Sequence, residues 1–183
     1  GQPDKKPLPM PLRVGLLARG GAALSAMREG RASAEHDLVL DAAEATFHFA
    51  DVAEAPIPAL LRGFTAPVTL DDGLTIPERL AQMAHDPDPF TRWEAGQSIA
   101  RAMMLGKAAG APVSSLATAL GREIDRAQED PAFAALALRL PDLNELIHAA
   151  AQPDPEQLHT ARAALCREIA QTLHARLTPL ARA

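Results

Sequence analysis

The residues able to carry chemistry are six histidines, one cysteine and a few adjacent carboxylates. The histidines are His36, His48, His85, His148, His159 and His174. No two stand three or four positions apart, so no helix face offers a histidine pair to a metal ion. The H-E-x-x-H pattern and any His/Cys cluster are absent. A zinc site would have to be assembled from scattered histidines and carboxylates, and a solvated or hydrogen-bonded ring is the preferred reading of each one. Cys166 stands alone, which excludes an intrachain disulfide and a multi-thiolate metal site. It sits beside Leu165 on the apolar side of an expected helix, where a small thiol serves as core. Nucleophile elbows of the G-x-S-x-G type and glycine-rich phosphate cradles are missing. Asp71-Asp72 and Glu129-Asp130 fall at expected element boundaries, where acidic side chains cap helices or face solvent. No residue is therefore assigned as catalytic, cofactor-binding or metal-ligating.

The most distinctive segment is Phe90-Thr91-Arg92-Trp93-Glu94. A lone Trp beside an Arg at a helix start has the composition of a recognition hot spot. The preferred alternative anchors Phe90 and Trp93 in the core, with Arg92 pairing a carboxylate or a neighbouring carbonyl. The leucine stripe after Asp154 likewise admits a partner-binding amphipath, with core packing as the default.

Two textures position these residues. Residues 1–72 read as an antiparallel β-sandwich. The candidate strands are 11–17, 36–40, 46–49, 60–64 and 67–70, with a turn at Gly20-Gly21. In Thr46-Phe47-His48-Phe49 the two aromatics alternate onto one face. The Ala-rich stretch 22–34 is a poor strand former. Residues 73–183 read as about six helices joined by short loops, which stack as antiparallel pairs or a superhelical array. Asp88-Pro89, Asp130-Pro131 and Asp154-Pro155 are start signals: Asp accepts a free backbone N–H at the N-cap, and Pro fits the first helical position. Thr75 and Glu78 have the spacing of a capping box. The expected apolar faces are Phe90/Trp93/Gln97/Ala100/Met104, Val113/Leu116/Leu120/Ile124, Phe133/Leu136/Leu140, and Leu158 to Leu180. Pro141 separates a short helix carrying Leu143, Leu146 and Ile147.

Composition narrows the function. Only 3 % of residues are aromatic, with no Tyr, which argues against stacking platforms for bases or sugars. A net charge of −5 argues against a phosphate-backbone binder, so no nucleic-acid partner is expected. No apolar stretch is long enough to span a membrane, and Gly1 to Pro7 contain no apolar signal core. The absence of an initiating Met reads as a start inside a longer protein, and the single thiol suits a cytoplasmic setting.

Longer motifs carry a resemblance. The stretch from Pro56 to Val68, P-I-P-A-L-L-R-G-F-T-A-P-V, resembles P-x-P-S-L-L-R-x-F-S-A-P-V of the bacterial aminopeptidase N family. Asp88 to Gln97 is similar to that family's N-D-F-x-R-W-[DE]-A-x-Q segment, and Leu140 to Glu145 to its L-P-S-x-N-E. Residues 11–17 and 46–49 also fit its strands. The resemblance implies the end of the family's small β-sandwich domain, lacking its first strand, followed by the start of its helical C-terminal domain. It implies a zinc-dependent parent that removes N-terminal residues from peptides. The family's zinc ligands, general-base Glu and amine-binding Glu have no counterpart here, so no cofactor is assigned to this chain. The expected role is architectural: contact with a catalytic domain and with the rest of the helical domain, helping to enclose the active-site chamber. An unpaired sheet edge also implies self-association of the isolated chain. The alternatives are a freestanding helical interaction scaffold with a β-sandwich module, and a small-ligand binder between the two halves.

Overall fold

A computed structural model describes residues 8–108 and 110–180. Its spine is β1 (Met10–Leu17). Strand β5 (Glu35–Leu40) pairs antiparallel with it from Met10↔Leu40 to Gly15↔Glu35, and β2 (Ala23–Leu24) continues on Leu16 and Leu17. Strand β6 (Ile57–Leu60) pairs with Val14 to Leu17. A separate hairpin, β3 (Ala26–Arg28) with β4 (Arg31–Ser33), turns through Glu29 and Gly30, both at positive φ. That is the backbone a tight hairpin turn requires. Alternation along β5 puts His36 and Leu38 inside and Asp37 outside. The enclosed cluster is Val14, Leu16, Ala26 and Leu38, with Phe47 and Phe49 packed on it.

Two expected strands do not form. Residues 46–49 place both aromatics on the core as their alternation suggests, but only Ala50 reaches a partner, bridging Met27. Asp51 at φ +55 then turns the chain away. Residues 67–70 form no ladder: Pro67 has no N–H to give, and the Val68 N–H bonds the nearby carbonyl of Ala66. The expected strand at 60–64 lies instead at 57–60 and stops because Leu61 takes φ +60, opening a 3₁₀ turn at Arg62–Phe64. The Ala-rich stretch 22–34 does contribute strands β2 to β4, in two- and three-residue pieces.

Six α-helices follow: α1 (Ile76–His85), α2 (Pro89–Met104), α3 (Val113–Asp125), α4 (Pro131–Ala137), α5 (Leu143–Ala149) and α6 (Pro155–Leu180). Their starts follow the side chains. Asp88, Asp130 and Asp142 accept the N–H three residues on, from Thr91, Phe133 and Glu145. Glu145 returns a bond to the Asp142 N–H, completing a reciprocal cap. Asp154 accepts from Glu156 and Gln157. Glu78 accepts from both the N–H and the hydroxyl of Thr75. The helical core contains Ile99, Leu116, Leu120, Leu146, Leu165, Ile169 and Leu173. On α4 the expected face is wrong: Ala134 and Ala137 are buried while Leu136 is exposed. This two-turn helix takes its orientation from the Asp130 cap and its neighbours, and the small residues allow close approach.

Candidate functional site at the junction of sheet and helices

The left-handed Leu61, followed by Gly63 and Phe64 at φ +64 and +54, points Arg62 inward between the sheet and the helices. Space for it comes from Gly15 in β1, where a Cβ would stand 1.9 Å from the guanidinium carbon. Arg62 is 1 % exposed. Its guanidinium donates to Asp86 Oδ2 at 2.8 Å and to Glu35 Oε1 at 3.0 Å, while its Nε is buried without a partner. Asp86 closes α1 and takes the Asp88 N–H on its other oxygen at 2.8 Å. Burial pushes the Asp86 carboxyl above the usual carboxylate range; Arg62 and the Asp88 N–H act against that shift.

On the helical side, Arg92 donates to the carbonyls of Asp86 and Pro87 at 3.1 and 3.2 Å and to Glu123 Oε1 at 3.0 Å. Arg126 shares that carboxylate oxygen at 2.6 Å and also reaches the Ala84 carbonyl. The Arg92 guanidinium lies 5.1 Å from the centre of the Phe133 ring. The link between α1 and α2, Asp86-Pro87-Asp88-Pro89, is thus gripped from both sides. Two further bonds cross the junction: Gly63 N–H to Asp88 Oδ1, and Gln82 Nε2 to the Pro58 carbonyl. Every carboxylate in the network faces a cation or a backbone N–H; the Thr91 hydroxyl donates to Asp88 Oδ2 at 2.9 Å, and Glu123 Oε2 is buried without a partner. The arrangement suits a strut between sheet and helices.

Beside the strut lies an open groove of about 590 Å³. Phe64, Phe90 and Trp93 line its centre, with ring centroids 5.1 and 5.9 Å apart along the series. Asp72 with Arg79, Glu94 with Arg101, and His148 supply its polar groups. Phe90 and Trp93 are therefore half-buried in a groove and are not core anchors; the buried residues of α2 are Thr91, Ala95, Gly96, Gln97, Ile99, Ala100 and Met104, so Gln97, Ala100 and Met104 of the expected face do turn inward. Arg92 does pair a carboxylate and neighbouring carbonyls, as its sequence context suggests.

The histidines are scattered. His36 is buried in the sandwich, with Nε2 3.2 Å from the carbonyls of Ala26 and Ser33 and its ring edge-on to Phe49. His48, His159 and His174 are exposed, and Cys166 is half-buried. Among the described residues, no group of three or more His, Cys, Asp or Glu side chains converges as a metal site. No helix of the described residues is long and apolar enough to cross a membrane.

The fold defines a class: small antiparallel β-sheets packed against a run of helices. The profile of a domain of unknown function (DUF3458_C) with ARM repeats matches residues 77–183, and that of a domain of unknown function (DUF3458) with an Ig-like fold matches residues 1–73. The chain belongs to this family, and its resemblance to aminopeptidase N is borne out by its relatives. Aminopeptidase N of Caulobacter vibrioides is 41 % identical over 147 residues, covering 78 % of this chain and 17 % of that protein. Aminopeptidase N of Escherichia coli is 32 % identical over 179 residues, covering 94 % and 20 %. Among solved structures, Legionella pneumophila aminopeptidase A, crystallised in complex with aspartic acid, superposes with a TM-score of 0.77 at 26 % identity, covering 94 % of this chain and 20 % of that one. The chain thus spans between 17 % and 20 % of the length of these relatives.

Proposed function

We propose that this chain is a non-catalytic structural region of a zinc-dependent aminopeptidase that hydrolyses N-terminal residues from peptides in the cytoplasm. The observation that carries the reading is the Arg62 strut, which joins sheet to helices through buried ion pairs of Arg62 with Asp86 and Glu35 and of Glu123 with Arg92 and Arg126. The residues present do not fit a zinc site, since no donor cluster converges among those described. Zinc, its ligands and the general base belong to another part of the longer polypeptide. In this reading residues 1–72 form the sandwich domain and 73–183 begin the helical domain that helps to enclose the active-site chamber. The groove of Phe64, Phe90 and Trp93 meets another domain of the same protein. The isolated chain self-associates through its sandwich half, because among the described residues β5 has a partner on one side only.

The second reading, a freestanding interaction scaffold, draws on the same groove of exposed Phe64 and half-buried Phe90 and Trp93. A peptidase assay separates the two. The full-length product of the gene, supplied with zinc, should cleave an alanyl anilide, and the 183-residue chain under the same conditions should not. An inactive full-length product would favour the scaffold. Zinc-dependent cleavage by the chain itself would overturn the structural role.

A further inference from the structure

Among the described residues Arg19, Arg31, Arg122, Arg139, Arg162 and Arg167 have no carboxylate within salt-bridge distance, and two of these, Arg19 and Arg122, share one cleft. The cleft, of about 380 Å³, lies between α1 and α3 and is closed by the turn after β1. His85 lines the same cleft, and its Nε2 lies 3.2 Å from an Arg122 nitrogen. The ring is seated on Gly21, at φ +91, where a Cβ would come within 2.2 Å of the His85 Cγ. The turn carrying Arg19 is thereby held against the end of α1. The cleft also has an apolar side in Leu80, Ala84 and Ala119, and hydroxyls in Ser114, Ser115 and Thr118.

On a chain of net charge −5, two guanidiniums outside any salt bridge and a histidine line this one cleft. Nearby charges compensate them only in part. Glu78 on α1, bonded to Thr75, feels the Arg19 charge; Asp86 is held by Arg62, and Glu123 by Arg92 and Arg126. Guanidinium favours planar oxyanions, to which it donates paired hydrogen bonds. The apolar side selects against a bare inorganic ion. We propose that the cleft between α1 and α3 binds a small carboxylate with a short aliphatic body, its oxygens held by Arg19 and Arg122 and its carbon chain on Leu80 and Ala84. Either a free organic acid or the C-terminal carboxylate of a short peptide presents that chemistry. A bound anion also favours the imidazolium of His85, whose ring is otherwise kept neutral by partial burial and then by Arg122 and Arg126.

The test is an NMR titration of the 183-residue chain with sodium butanoate, inorganic phosphate, acetyl-Ala-Ala and acetyl-Ala-Ala amide at constant ionic strength. Saturable shifts confined to the cleft are expected with butanoate, together with a rise in the His85 pKa of roughly half a unit or more. Saturation by acetyl-Ala-Ala but not by its amide would add the peptide terminus as a source; butanoate alone would restrict the site to free acids. The exposed Arg19→Gln variant should keep its fold by circular dichroism and lose about tenfold in affinity. Arg122→Gln should lose as much, and Arg167→Gln nothing. Unsaturable shifts, identical behaviour with phosphate, or unchanged affinity in Arg19→Gln would overturn the site.

Discussion

The Arg62 guanidinium meets the Asp86 carboxylate at 2.8 Å with the two side chains 1 % and 0 % exposed, joining the end of the β-sheet to the end of the first helix. Breaking a buried pair on one side leaves an uncompensated charge. Arg62→Ala or Asp86→Ala should therefore each cost about 3–5 kcal/mol of unfolding free energy. Urea denaturation checks this, and a loss below about 1 kcal/mol in either variant would show that the pair is not the strut. Replacing both by apolar residues, as in Arg62→Met with Asp86→Leu, should recover much of the loss.

Gly15 is part of the same device. Its Cα is packed under the guanidinium, so Gly15→Ala must displace Arg62. The expected cost is of similar size in the native background and small once Arg62 is Ala. Additive losses in that double-mutant cycle would show that the glycine serves another purpose.

The helix-start signals were readable because capping is local. Asp88, Asp130, Asp142 and Asp154 act within three residues of themselves, and short-range geometry survives whatever the rest of the chain does. Arg62 was not readable. Its burial depends on Gly15, 47 positions earlier in the numbering, and on Asp86, 24 positions later. The strand at 57–60 was missed because Pro56 and Pro58 disguise it; Pro58 fits by giving no N–H and passing its carbonyl to Gln82. Phe90 and Trp93 have the spacing of a core face, and only the position of Phe64 across the junction turns them into a groove.

Two caps differ in what they hold, which gives a graded expectation. Asp130→Ala loses one cap bond and should cost about 1 kcal/mol. Asp88→Ala loses the cap of α2, the Thr91 hydroxyl and the Gly63 N–H across the junction, and should cost distinctly more. Equal losses in thermal or urea unfolding would remove Asp88 from the junction.

His85 gives a pH dependence with a definite sign. Partial burial, then Arg122 and Arg126, hold its pKa below the ordinary 6.5. The unfolded chain therefore binds the proton more readily than the folded one. Stability contributed by the neutral ring is complete above about pH 6.5, falls as pH drops from there towards the folded-state pKa, and is level below it. His85→Gln should flatten this part of the profile. Unfolding midpoints at pH 7.5 and 5.5 that fall equally in both proteins would contradict the assignment.

The central claim is that these side chains pack and support, with metal chemistry supplied elsewhere in the longer polypeptide. Equilibrium dialysis of the folded 183-residue chain against micromolar zinc, followed by metal analysis, tests it most directly. The account expects far less than one zinc per chain and no release of alanine from an alanyl anilide; one tightly held zinc per chain accompanied by hydrolysis would contradict it.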